Sequence, residues 1–125
     1  MFRYITAIGV IIVLFAILPA SYAEKATELY IPIGKSPGLS GKYSVTGRIE
    51  QINKPNKTIT MSDASGKYAV KVLERTLIFL DYSEMKKTNR YGTFADFKTG
   101  MTVEVRFEKD ERGRPAEWVK IQMVP

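Results

Sequence analysis

Apolar and polar side chains alternate along much of the chain after Tyr43, which is the pattern of half-buried strands. In the first run, Val45, Gly47 and Ile49 occupy one phase, and polar residues such as Arg48 occupy the other. The later runs predict an inner face that continues through Ile59, Met61, Tyr68, Val70, Val72 and the segment Leu77–Leu80. The alternation therefore predicts several short strands around one shared apolar interior.

The last two runs predict a hairpin. A three-residue turn, Glu111-Arg112-Gly113, between Asp110 and Arg114 would place Gly113 in the left-handed conformation. Hydrophobic phase, turn chemistry and cross-strand charge all favour this register. It pairs Val105 with Val119 and Val103 with Ile121 on the inner face, and Glu104 with Lys120 and Arg106 with Trp118 on the outer face.

Turn-forming residues separate the strands. Asn53–Asn56 and Asp63–Gly66 are rich in such residues, and the polar segment Asp81–Arg90 forms the longest loop, with room for one helical turn. Thr93 can cap a brief turn over Phe94–Phe97 through its hydroxyl, and Gly100 ends it in the left-handed conformation. We therefore predict an all-β fold. It is a closed or nearly closed small barrel of five or six strands, with one short helical turn before the C-terminal hairpin. A small two-sheet sandwich is the alternative.

The N-terminus has the features of a secretory signal peptide. Arg3 precedes an almost unbroken apolar run from Ile5 to Leu18, Pro19 ends the run, and Ser21-Tyr22-Ala23 provides small residues for cleavage. We expect residues 1–23 to be removed on export, which predicts a periplasmic or secreted bacterial protein with no membrane segment after cleavage. A retained N-terminal anchor is the alternative.

Residues 24–42 form a predicted extended arm before the barrel domain of residues 43–125. Pro32, Pro37 and three glycines argue against a helix there, and the apolar patch Tyr30–Ile33 is expected to dock on a barrel. The sequence leaves open whether this is the arm's own barrel or a neighbour's.

Composition excludes several classes of site. The chain contains no Cys and no His, which removes most zinc, haem, iron–sulfur and copper sites and every catalytic pair that uses those residues. Asp81, Glu84 and Asp96 are the only candidate metal ligands near a loop, and no calcium-loop spacing joins them. We therefore expect no cofactor, no metal, no catalytic residues and no enzymatic activity. The net charge of +6 favours anionic partners, or simply maintains solubility.

One cluster of basic and aromatic residues lies in the long loop. Lys86, Lys87 and Arg90 lie beside Tyr82 and Tyr91, so cations that hold phosphates or acidic sugars accompany rings on which bases or sugars stack. These five residues are candidate ligand-binding residues. The alternative is a solvated basic rim.

A second candidate pair lies on the outer face of the predicted hairpin. Arg106 is expected to cover Trp118 as a cation–π partner, and the two residues would extend the ligand surface. The favoured alternative has Trp118 packed beneath the N-terminal arm as a structural residue.

Four blocks resemble an uncharacterised family of secreted bacterial small barrels, similar to oligonucleotide/oligosaccharide-binding (OB) folds. They are Gly47–Ile49, Thr58–Met61, Ala95–Val105 and Ala116–Ile121, and Met101 replaces an aspartate that often follows the family's turn glycine. The resemblance implies an OB-like barrel but no established activity, because such barrels have many unrelated functions. The expected function is a non-enzymatic periplasmic binding or accessory module for an envelope protein or an anionic polysaccharide. The alternative is OB-type binding of nucleic acid or another polyanion.

Overall fold

The structure, a computed structural model, describes residues 27–36, 44–109 and 115–125. The predicted signal segment 1–23 and the predicted turn 110–114 lie outside these ranges. The described strands are β1 Ser44–Asn53, β2 Thr58–Asp63, β3 Gly66–Lys71, β4 Leu77–Asp81, β5 Arg90–Tyr91, β6 Thr102–Phe107 and β7 Ala116–Gln122, with 3-10 turns at Ser83–Met85 and Phe94–Asp96.

The strands form one sheet in the order β3-β2-β1-β6-β7-β4-β5, in which only the β4–β7 pair is parallel. Residues 72–76 carry the chain from β3, at one end of this order, to β4 beside β7. The Val72 N–H donates to the Lys57 carbonyl at 2.9 Å, and the Thr76 hydroxyl donates to the Ala116 carbonyl at 2.7 Å. This connection curls the sheet around its interior, so the predicted all-β barrel-like fold is confirmed.

The predicted count of five or six strands is wrong, because the sheet has a seventh member, β5. This strand comprises only Arg90 and Tyr91, which pair with Leu80 and Phe79 of β4. Two residues are too few to show an alternating pattern, so alternation predicts a loop at Arg90.

The interior contains the residues that the alternation predicted. Ile49, Ile59, Met61, Val70, Val72, Ile78, Leu80, Val103, Val105, Phe107, Val119 and Ile121 form one buried cluster. Gly47 lies in the same phase where β1 and β2 approach each other, and a Cβ there would lie 2.3 Å from the Ser62 carbonyl oxygen. The requirement for glycine at this position is therefore steric.

The predicted hairpin register is confirmed. The pairs are Val105 with Val119, Val103 with Ile121, Glu104 with Lys120 and Arg106 with Trp118. A register shift follows between Arg106 and Phe107, which the alternation did not predict.

Both predicted short helical turns are present. In the turn at Phe94–Asp96, the Asp96 Oδ2 atom accepts a 2.7 Å hydrogen bond from the Thr93 backbone N–H. Gly100 has a φ of 85° and its N–H donates to the Ile49 carbonyl at 2.8 Å, so its predicted left-handed conformation is confirmed.

The described part of the N-terminal arm, residues 27–36, lies on its own barrel; we call it the strap. The sequence predicted no helix in the arm, but this prediction is wrong at the start of the strap. There the Tyr30 N–H donates to the Thr27 carbonyl and the Ile31 N–H donates to the Glu28 carbonyl. This turn precedes Pro32, so the proline does not prevent it. Tyr30 is 72% exposed, so it does not dock as predicted, whereas Glu28 is buried.

Candidate binding surfaces

The long loop brings three of its candidate residues into one shallow groove. Tyr82, Lys87, Thr88 and Arg90 line this groove, which has a volume of about 190 Å³. The Arg90 guanidinium lies 5.2 Å from the centre of the Tyr82 ring and donates to the Tyr82 hydroxyl at 2.8 Å. The lining has two cations and an aromatic ring but no carboxylate; we call it the loop groove.

Hydrogen bonds to side chains fix the start of this loop and tie its two ends together. The Asp81 Oδ1 atom accepts from the Ser83 N–H at 2.9 Å, and the Asn89 Oδ1 atom accepts from the Tyr82 N–H at 2.7 Å. Lys86 has a φ of 55°, so the chain reverses there through a left-handed residue. Sequence reasoning missed the role of Asn89, although asparagine at a loop end is a common turn former.

The other two loop candidates do not line the groove. Lys86 is exposed at the loop tip. Tyr91 is 54% exposed, and its ring centre lies 5.5 Å from that of Phe79. The structure therefore separates the five candidates into a groove of three and two flanking residues.

Arg106 and Trp118 are each only 1% exposed, so they form no open ligand surface in this structure, and the burial of Trp118 agrees with the favoured alternative of a structural residue beneath the arm. The predicted cation–π pair is present, with the Arg106 Cζ atom 5.1 Å from the Trp118 ring centre, and the Lys120 Nζ atom lies 4.7 Å from the same ring. Both residues are buried because the strap covers the outer face of the hairpin.

A buried network of charged side chains holds the strap to this face. The Lys120 Nζ atom lies 2.7 Å from Glu28 Oε1 and 4.0 Å from Glu104 Oε1. The Glu28 Oε2 atom accepts a 2.7 Å bond from the Ser36 hydroxyl, whose oxygen accepts a 2.8 Å bond from Arg106. Charges so deeply buried are tolerated only when they are paired and hydrogen-bonded.

Side chains of the barrel also bind the main chain of the strap. The Ile33 N–H donates to Asp81 Oδ2 at 2.8 Å, and the Gly34 N–H donates to Glu104 Oε1 at 3.1 Å. In the opposite sense, Asn89 Nδ2 donates to the Leu29 carbonyl at 3.0 Å, and Lys120 Nζ donates to the Ile31 carbonyl at 2.9 Å. We call the face formed by these side chains the strap site.

The two carboxyl groups that bind strap N–H groups are shifted in opposite directions. Burial opposes ionisation of Asp81, but hydrogen bonds from Ser83 and from the Ile33 N–H outweigh it, so the pKa lies below the ordinary value. Burial is the largest influence on Glu104 and raises its pKa, against the opposing effects of the Gly34 N–H and Lys120. Ionisation of Glu104 therefore lowers the stability of the folded protein.

A larger open groove, of about 740 Å³, lies over β1, β2 and the turn between them. Its lining is mostly neutral and polar, with a single acid, Glu50, and a single base, Lys54. Within residues 27–36, 44–109 and 115–125, no three carboxylates are grouped so that they could hold a metal ion. The same described residues include no helix long and apolar enough to cross a membrane.

Two structures of CusF are similar to this chain. Ag(I)-bound CusF is 17% identical with a TM-score of 0.42, and the match covers 63% of this chain and 95% of that chain. A Cu(II) complex of a tryptophan-to-alanine variant of CusF from Escherichia coli is 18% identical with a TM-score of 0.40, and the match covers 64% and 90%. No protein-family model matches the chain, and no curated protein is significantly similar to it.

Proposed function

We propose that this chain is a non-enzymatic binding or accessory module of the bacterial envelope, and that it contacts an anionic glycan or an acidic envelope protein through the loop groove. One observation carries the proposal: Tyr82, Lys87 and Arg90 line a single groove without a carboxylate. The N-terminal segment supports a periplasmic or secreted location, because Ile5–Leu18 and Ser21–Ala23 have the pattern of a cleaved leader.

The chemistry of the groove suits an acidic ligand. Arg90 presents a planar fork of donors that matches a carboxylate or sulfate, and Lys87 adds a mobile point charge. The Tyr82 ring offers a flat face on which a sugar ring or an apolar side chain can pack. The groove is shallow, as expected for a site that holds one part of a larger partner.

Nucleic acid or another polyanion is the second candidate ligand. The large groove over β1 and β2 favours it, because its open polar surface has space for an extended chain. Against it, Glu50 lies in that groove, and an exported protein meets little nucleic acid.

The proposal predicts that retention on an anionic polysaccharide column depends on the loop. Replacing Lys86, Lys87 and Arg90 together by Ser should lower the salt concentration of elution much more than replacing Lys54, Lys57 and Lys67 by Ser, because only the first triple removes clustered cations. Both variants lose the same net charge, so overall electrostatics is controlled. Equal losses would contradict the assignment of the loop.

A single-residue comparison locates the site more closely. Lys86 and Lys87 are neighbours and both are exposed, but only Lys87 lines the groove. Lys87→Ser should therefore weaken retention more than Lys86→Ser. Binding of a polyuronate and of a single-stranded oligonucleotide should then be compared across a salt series, since a preference for the oligonucleotide would favour the second candidate.

A further inference from the structure

We propose that the strap site is a peptide-binding site, occupied in this structure by the chain's own strap. We infer that it accepts in trans a glutamate-containing peptide from a partner protein, in the turn-containing conformation of the strap. The peptide would carry a glutamate five positions before an Ile-Gly pair, as Glu28 precedes Ile33 and Gly34. This site is separate from the loop groove and does not depend on the function proposed for that groove.

The strap site encloses the side chain of the strap glutamate. The Glu28 and Lys120 side chains are 0% and 1% exposed, and the distance between their charged atoms is 2.7 Å. The other Glu28 oxygen accepts a hydrogen bond from Ser36, which also binds Arg106. The face therefore contains a closed carboxylate pocket with a dedicated cation.

The strap site also binds main-chain groups of both kinds, N–H groups and carbonyls. Two barrel carboxylates, from Asp81 and Glu104, accept N–H groups of the strap. Asn89 and Lys120 donate to strap carbonyls. Main-chain groups are the same in every peptide, so these four contacts need not come from residues of the same chain.

The strap is held by specific polar contacts, as a bound ligand is. It belongs to none of the strand pairs of the described sheet. Within residues 27–36, only Glu28 is fully buried, and Ile31, Pro32 and Ile33 remain half-buried. Specific polar contacts, more than apolar burial, fix its position, and a second peptide with the same groups can compete for them.

The ligand chemistry follows from the two carboxylates of the site. An anionic polysaccharide on this face would bring its acidic groups against Asp81 and Glu104, which accept N–H groups here. A peptide supplies those N–H groups and places one carboxylate at Lys120. The face therefore suits a peptide and not a polyanion.

The test uses the full mature chain and a fluorescent synthetic peptide of residues 24–36. The wild-type strap competes in cis, which lowers the apparent affinity in proportion to the fraction of open sites. The peptide should bind the Glu28→Ala protein at least about tenfold more tightly than the wild-type protein. A peptide carrying Glu28→Gln should bind at least about tenfold more weakly than the wild-type peptide.

Trp118 reports on the site, because it is the only tryptophan of the chain and contacts Arg106 and Lys120, which both bind the strap. Acrylamide should quench its fluorescence more strongly in the Glu28→Ala protein, and added wild-type peptide should restore the protection. If Glu28→Ala fails to fold, Glu28→Gln serves as the weakened full-length chain. Excess peptide titrated into the wild-type protein, with the Trp118 indole N–H followed by NMR, provides a second measurement.

Three results would overturn the proposal. The first is that no saturable peptide binding occurs to any folded form. The second is a concentration-dependent dimer that Glu28→Gln abolishes while free peptide does not bind, which would indicate strap exchange between copies. The third is polyuronate binding at this face without peptide binding. Replacing Lys86, Lys87 and Arg90 by Ser should leave peptide binding unchanged, so failure here is distinguishable from failure of the loop groove.

Discussion

The two faces of the β6–β7 hairpin are almost equally buried and have opposite chemistry. On the inner face, Val103, Val105, Val119 and Ile121 are all 0% exposed; on the outer face, Glu104 is 6% exposed and Arg106, Trp118 and Lys120 are each 1% exposed. The inner face is buried by the curl of the sheet. The outer face is buried by the strap, a separate segment. The strap supplies a carboxylate, an N–H group and a carbonyl to the charged side chains of this face.

This difference changes what stabilises each face. Removing an inner side chain loses apolar contact and leaves a cavity. Removing a charged outer side chain leaves its partner buried without a counter-charge. The resulting loss of stability is larger than the net contribution of the intact pair.

The largest loss is expected from Lys120→Ala. This change leaves Glu28 and Glu104 buried without the cation that lies 2.7 Å and 4.0 Å from them. The free energy of unfolding, measured by urea titration, should fall by about 3–5 kcal/mol. The double change Lys120→Met with Glu28→Leu should recover most of this loss, because it removes both charges of the closest pair. A loss below about 1 kcal/mol in the single variant would show that the network does not hold the strap.

A smaller loss is expected on the inner face. Val105→Ala and Ile121→Ala each remove buried aliphatic atoms and should lower the free energy of unfolding by about 0.5–3 kcal/mol. Val124 is 59% exposed, so Val124→Ala is the matched control and should cause no measurable loss. If the control cost as much as Val105→Ala, the assigned inner phase would be wrong.

The two carboxylates of the strap site, Asp81 and Glu104, should also give stability a pH dependence that the inner face lacks. Between the lowered pKa of Asp81 and the ordinary value of 3.8, the unfolded chain binds more protons, so stability falls as pH falls through this window. Between the ordinary value of 4.5 and the raised pKa of Glu104, the folded chain binds more protons, so stability falls as pH rises through that window.

Two substitutions separate these contributions. Glu104→Gln should remove the loss of stability that accompanies the rise in pH above 4.5. Asp81→Asn should reduce the loss on acidification below 3.8. The measurement is the free energy of unfolding from urea titrations between about pH 3 and about pH 7. A Glu104→Gln profile that parallels the wild type would contradict the role assigned to Glu104.

The sequence predicted the inner face well because that face depends on local alternation. The phase of Val103 and Val105, their pairing with Ile121 and Val119, and the left-handed Gly100 were all correct. The short strand β5 was missed, since two residues carry no period.

The burial of the outer face could not be predicted from alternation, which assigns its polar phase to solvent. The bond between Glu28 and Lys120 joins residues 92 positions apart, and no local pattern connects them. The cross-strand pair of Glu104 with Lys120 was predicted, but its burial depends on the strap. Of the candidate site residues, Tyr82, Lys87 and Arg90 meet in one groove because the loop closes on itself through the hydrogen bond between Tyr82 and Asn89. Arg106 and Trp118 do not join them, because the strap covers both.

The smallest effect is expected from an ion pair with the same short distance but a different exposure. Arg75 donates to both Glu108 oxygens, at 2.9 Å and 2.7 Å, and the two side chains are 66% and 25% exposed. Water solvates these charges with or without the partner, and salt screens their attraction, so the pair contributes little. Arg75→Ala should therefore leave the urea midpoint unchanged within error, at both low and high salt. A loss as large as that of Lys120→Ala would mean that distance, and not burial, decides the strength of an ion pair in this protein.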